Sequence, residues 1–417
     1  MSTTTLKGGV LHIEEVPLTD VARTFGTPAY VYSRAAITAS YTAFDRAFAA
    51  HPHQICYAVK ANSNLAVLNV LARLGAGFDI VSGGELQRVL AAGGDPMKTI
   101  FSGVGKSESE IRLALATGIQ CFNVESEAEL ERIDRLAGDA GKRAPISFRV
   151  NPDVDAKTHR YISTGLKENK FGVAFADALP LYRRARSLSN VDICGIDFHL
   201  GSKMMDPSPA LEAAEKVSHL LDALSAEGIT LEHFDVGGGL GIPYEPGEPE
   251  ADLDGYARGL LELFRGRSEK LVFEPGRYLV GNAGVLLTRV EYLKPGEAKS
   301  FAVVDAAMND LIRPALYDAH HDIVPVVPRA PAESVRWDVV GPVCESADFL
   351  ARDRMLAIHE GDLLAVMSAG AYAFAMSSNY NTRGRACEVM IDGANAHVIR
   401  ERETAPLLFC HESLLPC

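Results

Sequence analysis

Short apolar runs alternate with longer amphipathic segments from about residue 54 of this 417-residue chain. Such alternation is typical of βα units that build a parallel sheet. Helical patterns separate the runs, and several have glycine just after the last apolar position, where helices commonly end; examples are "NLAVLNVLARLG", "GELQRVLAAGG" and "SEAELERIDRLAG". Eight runs are predicted to be strands, at residues 54–61, 77–82, 99–104, 120–125, 145–150, 191–200, 233–238 and 270–275.

Eight such units predict a (β/α)8 TIM barrel, which usually takes about 250 residues, and a doubly wound open sheet is the main alternative. After residue 280 the pattern changes to strand-like runs with few helical stretches, and "CEVMIDGANAHVIRE" carries an Asp-Gly turn signal. We therefore predict a barrel over residues 33–279 and a β-rich domain, β-sandwich or Greek-key-like, from residues 1–32 and 280–417. The first of these two pieces is predicted to be strand and turn.

Composition and charge narrow the function classes. The chain is 47% hydrophobic and 23% charged, as in soluble globular proteins. Its net charge of −13 disfavours nucleic-acid binding, which needs clustered Lys and Arg, so a small molecule is the better ligand class. The N-terminus lacks a secretory apolar core and "LLAVMSAGAYAFAM" is too short to span a bilayer. We therefore expect a cytoplasmic protein that binds neither nucleic acid nor membrane.

The cysteines point to no particular chemistry. Seven are scattered along the chain without CxxC spacing, which favours neither a disulfide framework nor a zinc site. Most of them are expected to be reduced and buried.

Polar residues and glycines end several of the predicted strands, where TIM barrels place their reacting groups. Glycines after the seventh and eighth strands let backbone N–H groups approach an anion, at the usual phosphate position of these barrels. A lysine at the same mouth is either a second phosphate contact or an amine that forms a Schiff base with an aldehyde cofactor. Together these features suggest pyridoxal phosphate. The residues are Lys60, Asp79, Arg149, His199, Gly237, Gly238, Gly239, Glu274, Gly276 and Arg277.

Each of these residues also has a purely structural interpretation. A single strand-end lysine is usually solvated or ion-paired, and a glycine triplet is more often a tight turn. His199 alone would be a hydrogen-bonded structural histidine, and Glu274 with Arg277 a local ion pair. Their convergence on one end of one barrel favours a site.

Eight motifs in a fixed order identify a family: "YAVKAN", "RVNPDVDAKTHRYISTGLKENKFG", "HLGS", "DVGGGLG", "EPGRYLV", "RPALYDAHH", "GPVCESADFL" and "GAYAFAMSSNYNTRGRACEV". With these motifs, which extend from residue 57 to 389, the chain resembles the fold-type III pyridoxal phosphate-dependent decarboxylases and, within them, the diaminopimelate decarboxylase family. Ala373 stands where that family commonly has glycine, a departure expected to affect packing only.

The resemblance implies a barrel followed by a β domain, a homodimer with shared active sites, and pyridoxal 5'-phosphate as cofactor. Lys60 would be the Schiff-base lysine, Glu274 would pair with the pyridine nitrogen, and His199 would stack on the cofactor face. The phosphate would be held by Ser202, Gly237, Gly238 and Gly239 and by the backbone of Gly276 and Arg277. Further cofactor contacts would be Asp79, Arg149 and Tyr372.

The same resemblance implies decarboxylation of meso-2,6-diaminopimelate to L-lysine and CO2, the last step of lysine biosynthesis by this route. The carbanion left by CO2 needs a positioned acid, a role that the resemblance assigns to Cys344 from the partner subunit. Diaminopimelate carries an ammonium and a carboxylate at both ends, and arginine suits carboxylate recognition. The expected substrate contacts are Arg277, Arg313, Tyr317, Glu345 for the distal ammonium, and Tyr372.

Three other functions stay open at this point. A decarboxylase of the same fold acting on ornithine, arginine or lysine should place an acid where Arg313 and Tyr317 stand. A racemase would need acids or bases on both faces of the cofactor. A pyridoxal phosphate carrier without turnover would need neither the β domain nor the Cys-Glu segment.

Overall fold

The computed structural model describes residues 3–154 and 170–416, except for the side chain of Ala332. Residues 155–169, which form the middle of the longest motif, lie outside the described residues. The chain forms two compact units. One holds Thr38–Ile242 and Pro249–Leu279, and the other runs to Ile37 and takes in Pro243–Glu248 and the chain from Val280 onward.

The strands of the described residues are β1 (Thr4–Lys7), β2 (Val10–Ile13), β3 (Val16–Pro17), β4 (Ala29–Ser33), β5 (His53–Ala58), β6 (Gly77–Ile80), β7 (Thr99–Phe101), β8 (Cys121–Val124), β9 (Ala144–Asn151), β10 (Val173–Ala174), β11 (Val191–Asp197), β12 (His233–Asp235), β13 (Lys270–Phe273), β14 (Gly284–Lys294), β15 (Phe301–Val304), β16 (Ile323–Pro325), β17 (Val335–Val340), β18 (Phe349–Leu356), β19 (Leu363–Val366), β20 (Cys387–Asp392) and β21 (Asn395–Arg400). The helices are α1 (Leu18–Phe25), α2 (Arg34–Ala47), α3 (Leu65–Arg73), α4 (Gly83–Ala91), α5 (Glu108–Thr117), α6 (Glu127–Asp139), α7 (Phe175–Arg186), α8 (Ser208–Ala226), α9 (Leu253–Leu263), α10 (Arg277–Val280), α11 (Arg313–Tyr317) and α12 (Ala405–Leu408).

Eight parallel strands of the described chain close into a barrel. Their order is β9-β11-β12-β13-β5-β6-β7-β8, and β8 pairs with β9 to complete the circle. The short strand β10 adds to β9. All eight predicted strands are confirmed, and closure of the sheet rules out the doubly wound alternative.

The barrel strands alternate aromatic and polar residues, which strand geometry sends to opposite faces. The aromatic residues face the surrounding helices: the ring of Phe148 lies 4.8 Å from that of Tyr182 on α7, and Phe273 lies 5.2 Å from Phe44 on α2. Buried polar side chains occupy the neighbouring strand positions and therefore face the barrel interior; they include Asp79, Asn123, Ser147, Arg149, Asp197 and Asp235. This alternation fills the interior with groups that a cofactor site can use.

The barrel helices begin at polar caps. Asn64, Ser82 and Ser126 each accept a backbone N–H at the start of α3, α4 and α6, and Ser107 forms a capping box with Glu110 at α5. The predicted glycine stop of α6 is wrong, because Gly138 lies inside the helix.

Gly138 packs closely against a neighbouring side chain and does not form a turn. A Cβ there would lie 2.8 Å from Nδ2 of Asn190, and the left-handed residue after α6 is Gly141.

The second unit is a mixed sheet ordered β18-β17-β15-β14-β4-β20-β21, with β19 pairing with both β14 and β16. A small antiparallel sheet, β1-β2-β3, packs on it, because Leu11, Ile13 and Val16 share one core with Val285 and Leu287. The predicted β-rich domain is confirmed. The Asp-Gly turn connects β20 to β21, with Gly393 at φ +61°.

The N-terminal segment also contains a helix that the sequence analysis missed. Helix α1 buries Leu18, Val21 and Ala22, which have the i, i+3, i+4 spacing of an amphipathic helix. Among the described residues, no helix is long and apolar enough to cross a membrane.

Candidate active site

Lys60 lies in a single 3₁₀ turn, Val59–Ala61, just after β5. Its Nζ atom is 2.5 Å from Oδ2 of Asp79 at the end of β6, and 36% of the lysine side chain is exposed. Asp79 is fully buried, yet its Oδ1 atom has no hydrogen-bond partner among the described residues. A buried carboxylate oxygen without a partner costs free energy, which suits a position completed by a ligand.

The glycine triplet after β12 admits no side chain. A Cβ would lie 2.5 Å from the carbonyl oxygen of Phe198 at Gly237, 2.2 Å from that of Glu274 at Gly238, and 2.5 Å from Cε of Met204 at Gly239. Gly237 and Gly239 also have φ of +66° and +119°, which glycine adopts most readily. These glycines therefore let the chain pass very close to the backbone at the ends of the neighbouring strands.

Two of the triplet's amides already have protein partners. The amide of Gly237 donates to Oδ1 of Asp235 at 2.8 Å, and the amide of Gly238 donates to Nδ1 of His199 at 3.1 Å. Of the predicted phosphate donors, this leaves Gly239 and the backbone after Glu274 as the best placed.

His199 follows β11 and has a half-buried ring. Burial, together with the positive charges of Arg149 and Lys60, holds the pKa of His199 well below its ordinary value. The ring is therefore neutral at physiological pH, and its Nδ1 is free of a proton because it accepts the Gly238 amide. A neutral planar ring is suited to stacking on an aromatic cofactor.

Glu274 follows β13 and is 5% exposed. Its Oε1 atom accepts long hydrogen bonds from Oγ of Ser102 at 3.3 Å and Nδ2 of Asn123 at 3.4 Å. Burial raises its pKa well above the ordinary range, and the nearby carboxylates of Asp79 and Asp235 raise it further.

Two aspartates missed by the sequence analysis extend this acidic interior. Oxygens of Asp197, Asp235 and Glu274 all lie within 4.8 Å of one another, and all three residues are buried. Burial raises the pKa of Asp197 to about 7 and that of Asp235 well above its ordinary value. Each aspartate stands two residues before a predicted site residue, a signal that strand alternation could have supplied.

Arg149 is held mainly by protein groups. Its Nη1 is 3.4 Å from Oε1 of Glu125, and its guanidinium lies 4.9 Å from the centre of the Phe171 ring. Glu125 in turn accepts the amides of Gly103 and Gly172, each at 2.9 Å. This network holds the Arg149 guanidinium in place, and the predicted direct contact with the cofactor remains a prediction.

Arg277 and Ser202 contact each other. The guanidinium donates to Oγ of Ser202 from Nε at 3.1 Å and from Nη2 at 2.8 Å, and Arg277 is 6% exposed. The serine hydroxyl proton is thereby turned away from the guanidinium and is available to an anion. Gly276 is buried directly before this arginine.

In the second unit, the predicted substrate residue Arg313 starts α11 and is 6% exposed. Its Nη1 donates to Nε2 of His321 at 2.8 Å, and its guanidinium lies 4.6 Å from the centre of the Tyr244 ring. His321 is fully buried and donates from Nδ1 to the carbonyl oxygen of Met367 at 2.8 Å. His321 and Tyr244 therefore fix the arginine, and the sequence analysis did not identify either as a site residue.

Cys344 and Glu345 are exposed on a loop between β17 and β18. The Cys344 amide donates to Oδ1 of Asn381 at 3.0 Å, and the loop is anchored where Asp348 accepts the amides of Val343 and Met308, each at 2.7 Å. The thiol is thus carried by an ordered loop and faces solvent in the single chain.

The last two predicted substrate contacts, Tyr317 and Tyr372, are half-buried in the second unit. Tyr372 has φ of +56°, a conformation that is uncommon for a bulky residue and clusters at functional sites. Ala373 has φ of −106°, so the backbone at this departure from the family pattern does not require glycine.

The barrel residues fit pyridoxal phosphate. The orphaned Asp79 oxygen, the glycine triplet at the strand ends and a surplus of buried carboxyl groups over the cations Lys60 and Arg149 suit an aldehyde cofactor with a cationic ring nitrogen and an anionic tail. The individual residue roles remain predictions.

Comparisons with known proteins agree with this fit. Residues 34–281 match the family model described as the pyridoxal binding domain of pyridoxal-dependent decarboxylases. The chain is 59% identical to the diaminopimelate decarboxylase of Pseudomonas aeruginosa over the full length of both proteins, and 58% identical to that of Vibrio cholerae over 98% of each. A crystal structure of diaminopimelate decarboxylase from Helicobacter pylori complexed with L-lysine has a TM-score of 0.92 and 43% identity, covering 95% of this chain and 99% of that one. The chain therefore belongs to the diaminopimelate decarboxylase family of pyridoxal-dependent decarboxylases.

Proposed function

We propose that this protein converts meso-2,6-diaminopimelate to L-lysine and CO2 with pyridoxal 5'-phosphate as its cofactor, the last step of lysine biosynthesis by the diaminopimelate route. The observation that carries the proposal is the contact between Lys60 and Asp79 at one end of the barrel. The glycine triplet and the buried Glu274 follow strands that end on the same side. Full-length relatives named diaminopimelate decarboxylase and a related structure holding L-lysine support the choice of substrate. The enzyme acts in the cytoplasm.

The barrel residues would hold the cofactor and set its charge. Bound pyridoxal phosphate supplies an electron sink for the electron pair left on the substrate carbon when CO2 departs. Lys60 would attach the cofactor, and Asp79 would hold the lysine in place. Glu274 would accept a hydrogen bond from the ring nitrogen and keep that nitrogen protonated, and the neutral ring of His199 would pack on the cofactor face.

The cofactor phosphate would accept hydrogen bonds from backbone amides and a hydroxyl group near the ends of β12 and β13. Gly239 and Gly276 would offer their backbone amides there. The Ser202 hydroxyl, oriented by Arg277, adds a side-chain donor.

Arg313 would recognise the distal carboxylate of the substrate. The His321 contact and the Tyr244 ring hold its guanidinium in one orientation, so that little side-chain entropy is lost on binding. This feature favours diaminopimelate over ornithine, arginine or lysine, whose tails lack a carboxylate. Glu345 would bind the distal ammonium, and Arg277, Tyr317 and Tyr372 would complete the substrate contacts.

Cys344 would donate a proton to the substrate carbon after CO2 leaves, acting in the site of the other subunit of a homodimer. Its exposure on an ordered loop supports this role, because a thiol that serves a second subunit must reach the surface of its own chain. Reaction at the D centre of the meso substrate would give L-lysine.

Turnover by the purified holoenzyme tests the function. With meso-diaminopimelate we expect CO2 and L-lysine in equal amounts. Epimerised substrate with all carbon retained would instead indicate a racemase, and cofactor binding without turnover would indicate a carrier.

A subunit-mixing experiment tests the shared site. Lys60→Ala and Cys344→Ala dimers should each be nearly inactive, but random exchange restores one intact site in each mixed dimer, or about a quarter of wild-type activity. No recovery despite confirmed exchange would mean that each chain supplies its own Cys344.

A further inference from the structure

Three buried residues that the proposed reaction does not use meet inside the barrel. Cys121 is the first residue of β8, Cys194 lies in β11, and His233 is the first residue of β12. The two sulfur atoms are 3.4 Å apart, and the sulfurs and one imidazole nitrogen all lie within 4.8 Å of one another. Two of the three lie at the N-terminal ends of strands, opposite the strand ends that carry Lys60 and Glu274.

The backbone is shaped around this cluster. The pairing of β11 with β9 shifts register between Ile193 and Gly195, so Cys194 is the extra residue of a β-bulge, a feature that commonly re-aims a side chain. A Cβ on Gly195 would lie 2.1 Å from Nε2 of His233, so the absence of a side chain there leaves the room that the imidazole occupies.

The imidazole has an unused nitrogen. His233 is 3% exposed, and its Nε2 atom has no hydrogen-bond partner among the described residues. A buried nitrogen left without a partner costs free energy that a bound ligand would recover.

We propose that Cys121, Cys194 and His233 bind a thiophilic metal ion. Zn²⁺ is the ion chosen to test the site. Thiolate sulfur and imidazole nitrogen are the ligands that zinc prefers, and zinc–sulfur bonds of about 2.3 Å at a tetrahedral angle place two sulfurs about 3.8 Å apart. The observed 3.4 Å requires only a small adjustment.

Charge balance supports the same ligand. Both cysteines enter as thiols, so binding one Zn²⁺ releases two protons and leaves a neutral Zn(S⁻)2N group, which can be buried without an unpaired charge.

Metal analysis of the holoenzyme tests the proposal. After incubation with Zn²⁺ and removal of unbound metal, we expect about one zinc per chain, and X-ray absorption should show two sulfurs at about 2.3 Å and at least one nitrogen at about 2.0 Å. The Cys121→Ser, Cys194→Ser double variant should bind at least about tenfold less zinc. Cys56→Ser, which changes a buried thiol outside the trio, is the matched control and should bind as the wild type does.

Several results would overturn the metal site. Less than stoichiometric zinc in the wild type, absorption data without sulfur ligands, or undiminished zinc in the double variant would each do so. The wild-type absorption spectrum does not depend on whether the variants fold, and His233→Gln offers a milder second variant that should lose the nitrogen and weaken binding.

Discussion

Adding one methyl group at Gly238 should weaken cofactor binding. The Cβ of Gly238→Ala would lie 2.2 Å from the carbonyl oxygen of Glu274, whereas real Cβ contacts are essentially never under 3.0 Å, so the two strand ends must separate by at least 0.8 Å (3.0 − 2.2). The obstacle is backbone and cannot rotate away. The φ of Gly238 lies outside the left-handed region, so the substitution tests space rather than strain.

The size of the effect follows from packing energetics. Overpacking of this kind costs about 2 kcal/mol, which corresponds to about thirtyfold weaker cofactor binding if the strain is relieved only by opening the site. Because the displaced carbonyl belongs to Glu274, kcat at saturating cofactor should also fall, since displacements near 1 Å commonly cost about a hundredfold.

Spectrophotometric titration of the cofactor-free enzyme with pyridoxal phosphate measures the predicted change in Kd. Gly105→Ala is the control, because a Cβ there has nothing within 4 Å and the φ is ordinary. The reasoning is refuted if folded Gly238→Ala protein binds the cofactor within about twofold of wild type, or if Gly105→Ala weakens binding as much.

Substitutions at four further residues probe the assigned roles. His321→Ala removes the acceptor that holds Arg313, so KM for diaminopimelate should rise about tenfold with little change in kcat, and His321→Gln should recover part of the loss; equal losses in kcat and in kcat/KM would argue against a positioning role. Glu274→Gln keeps shape but loses the negative charge, so the variant should bind cofactor while kcat falls about a hundredfold or more, and near-normal turnover would remove Glu274 from the mechanism. Lys60→Ala should abolish both the bound-cofactor absorbance and turnover, whereas Cys344→Ala should keep the absorbance and lose most turnover; full activity of the Cys344 variant would assign the proton to another group.

The barrel was predictable because its strands are short runs rich in β-branched and aromatic residues that recur between amphipathic helices. The predicted strand-end residues Lys60, Glu274 and the glycine triplet do lie at one end of the closed barrel. All strands of a parallel barrel end on the same side, so residues at the strand ends lie on that side whatever their contacts.

Contacts between distant segments were not predictable. His321 and Tyr244 meet Arg313 from elsewhere in the chain, and no spacing signals that a ring will cover a guanidinium. Cys121, Cys194 and His233 show the same limit, because the scattered cysteines gave no metal spacing and only closure of the barrel brings them together. Helix α1 was missed because its apolar positions span barely two turns.

A comparison of substrates tests the central claim most directly. The purified enzyme with pyridoxal phosphate is assayed for CO2 release and amine product with meso-diaminopimelate, L-ornithine, L-arginine and L-lysine at matched concentrations. The account predicts L-lysine from meso-diaminopimelate and negligible turnover of the other three, because only diaminopimelate offers Arg313 a distal carboxylate. A higher kcat/KM for any substrate without that carboxylate would contradict the roles of Arg313 and Tyr317.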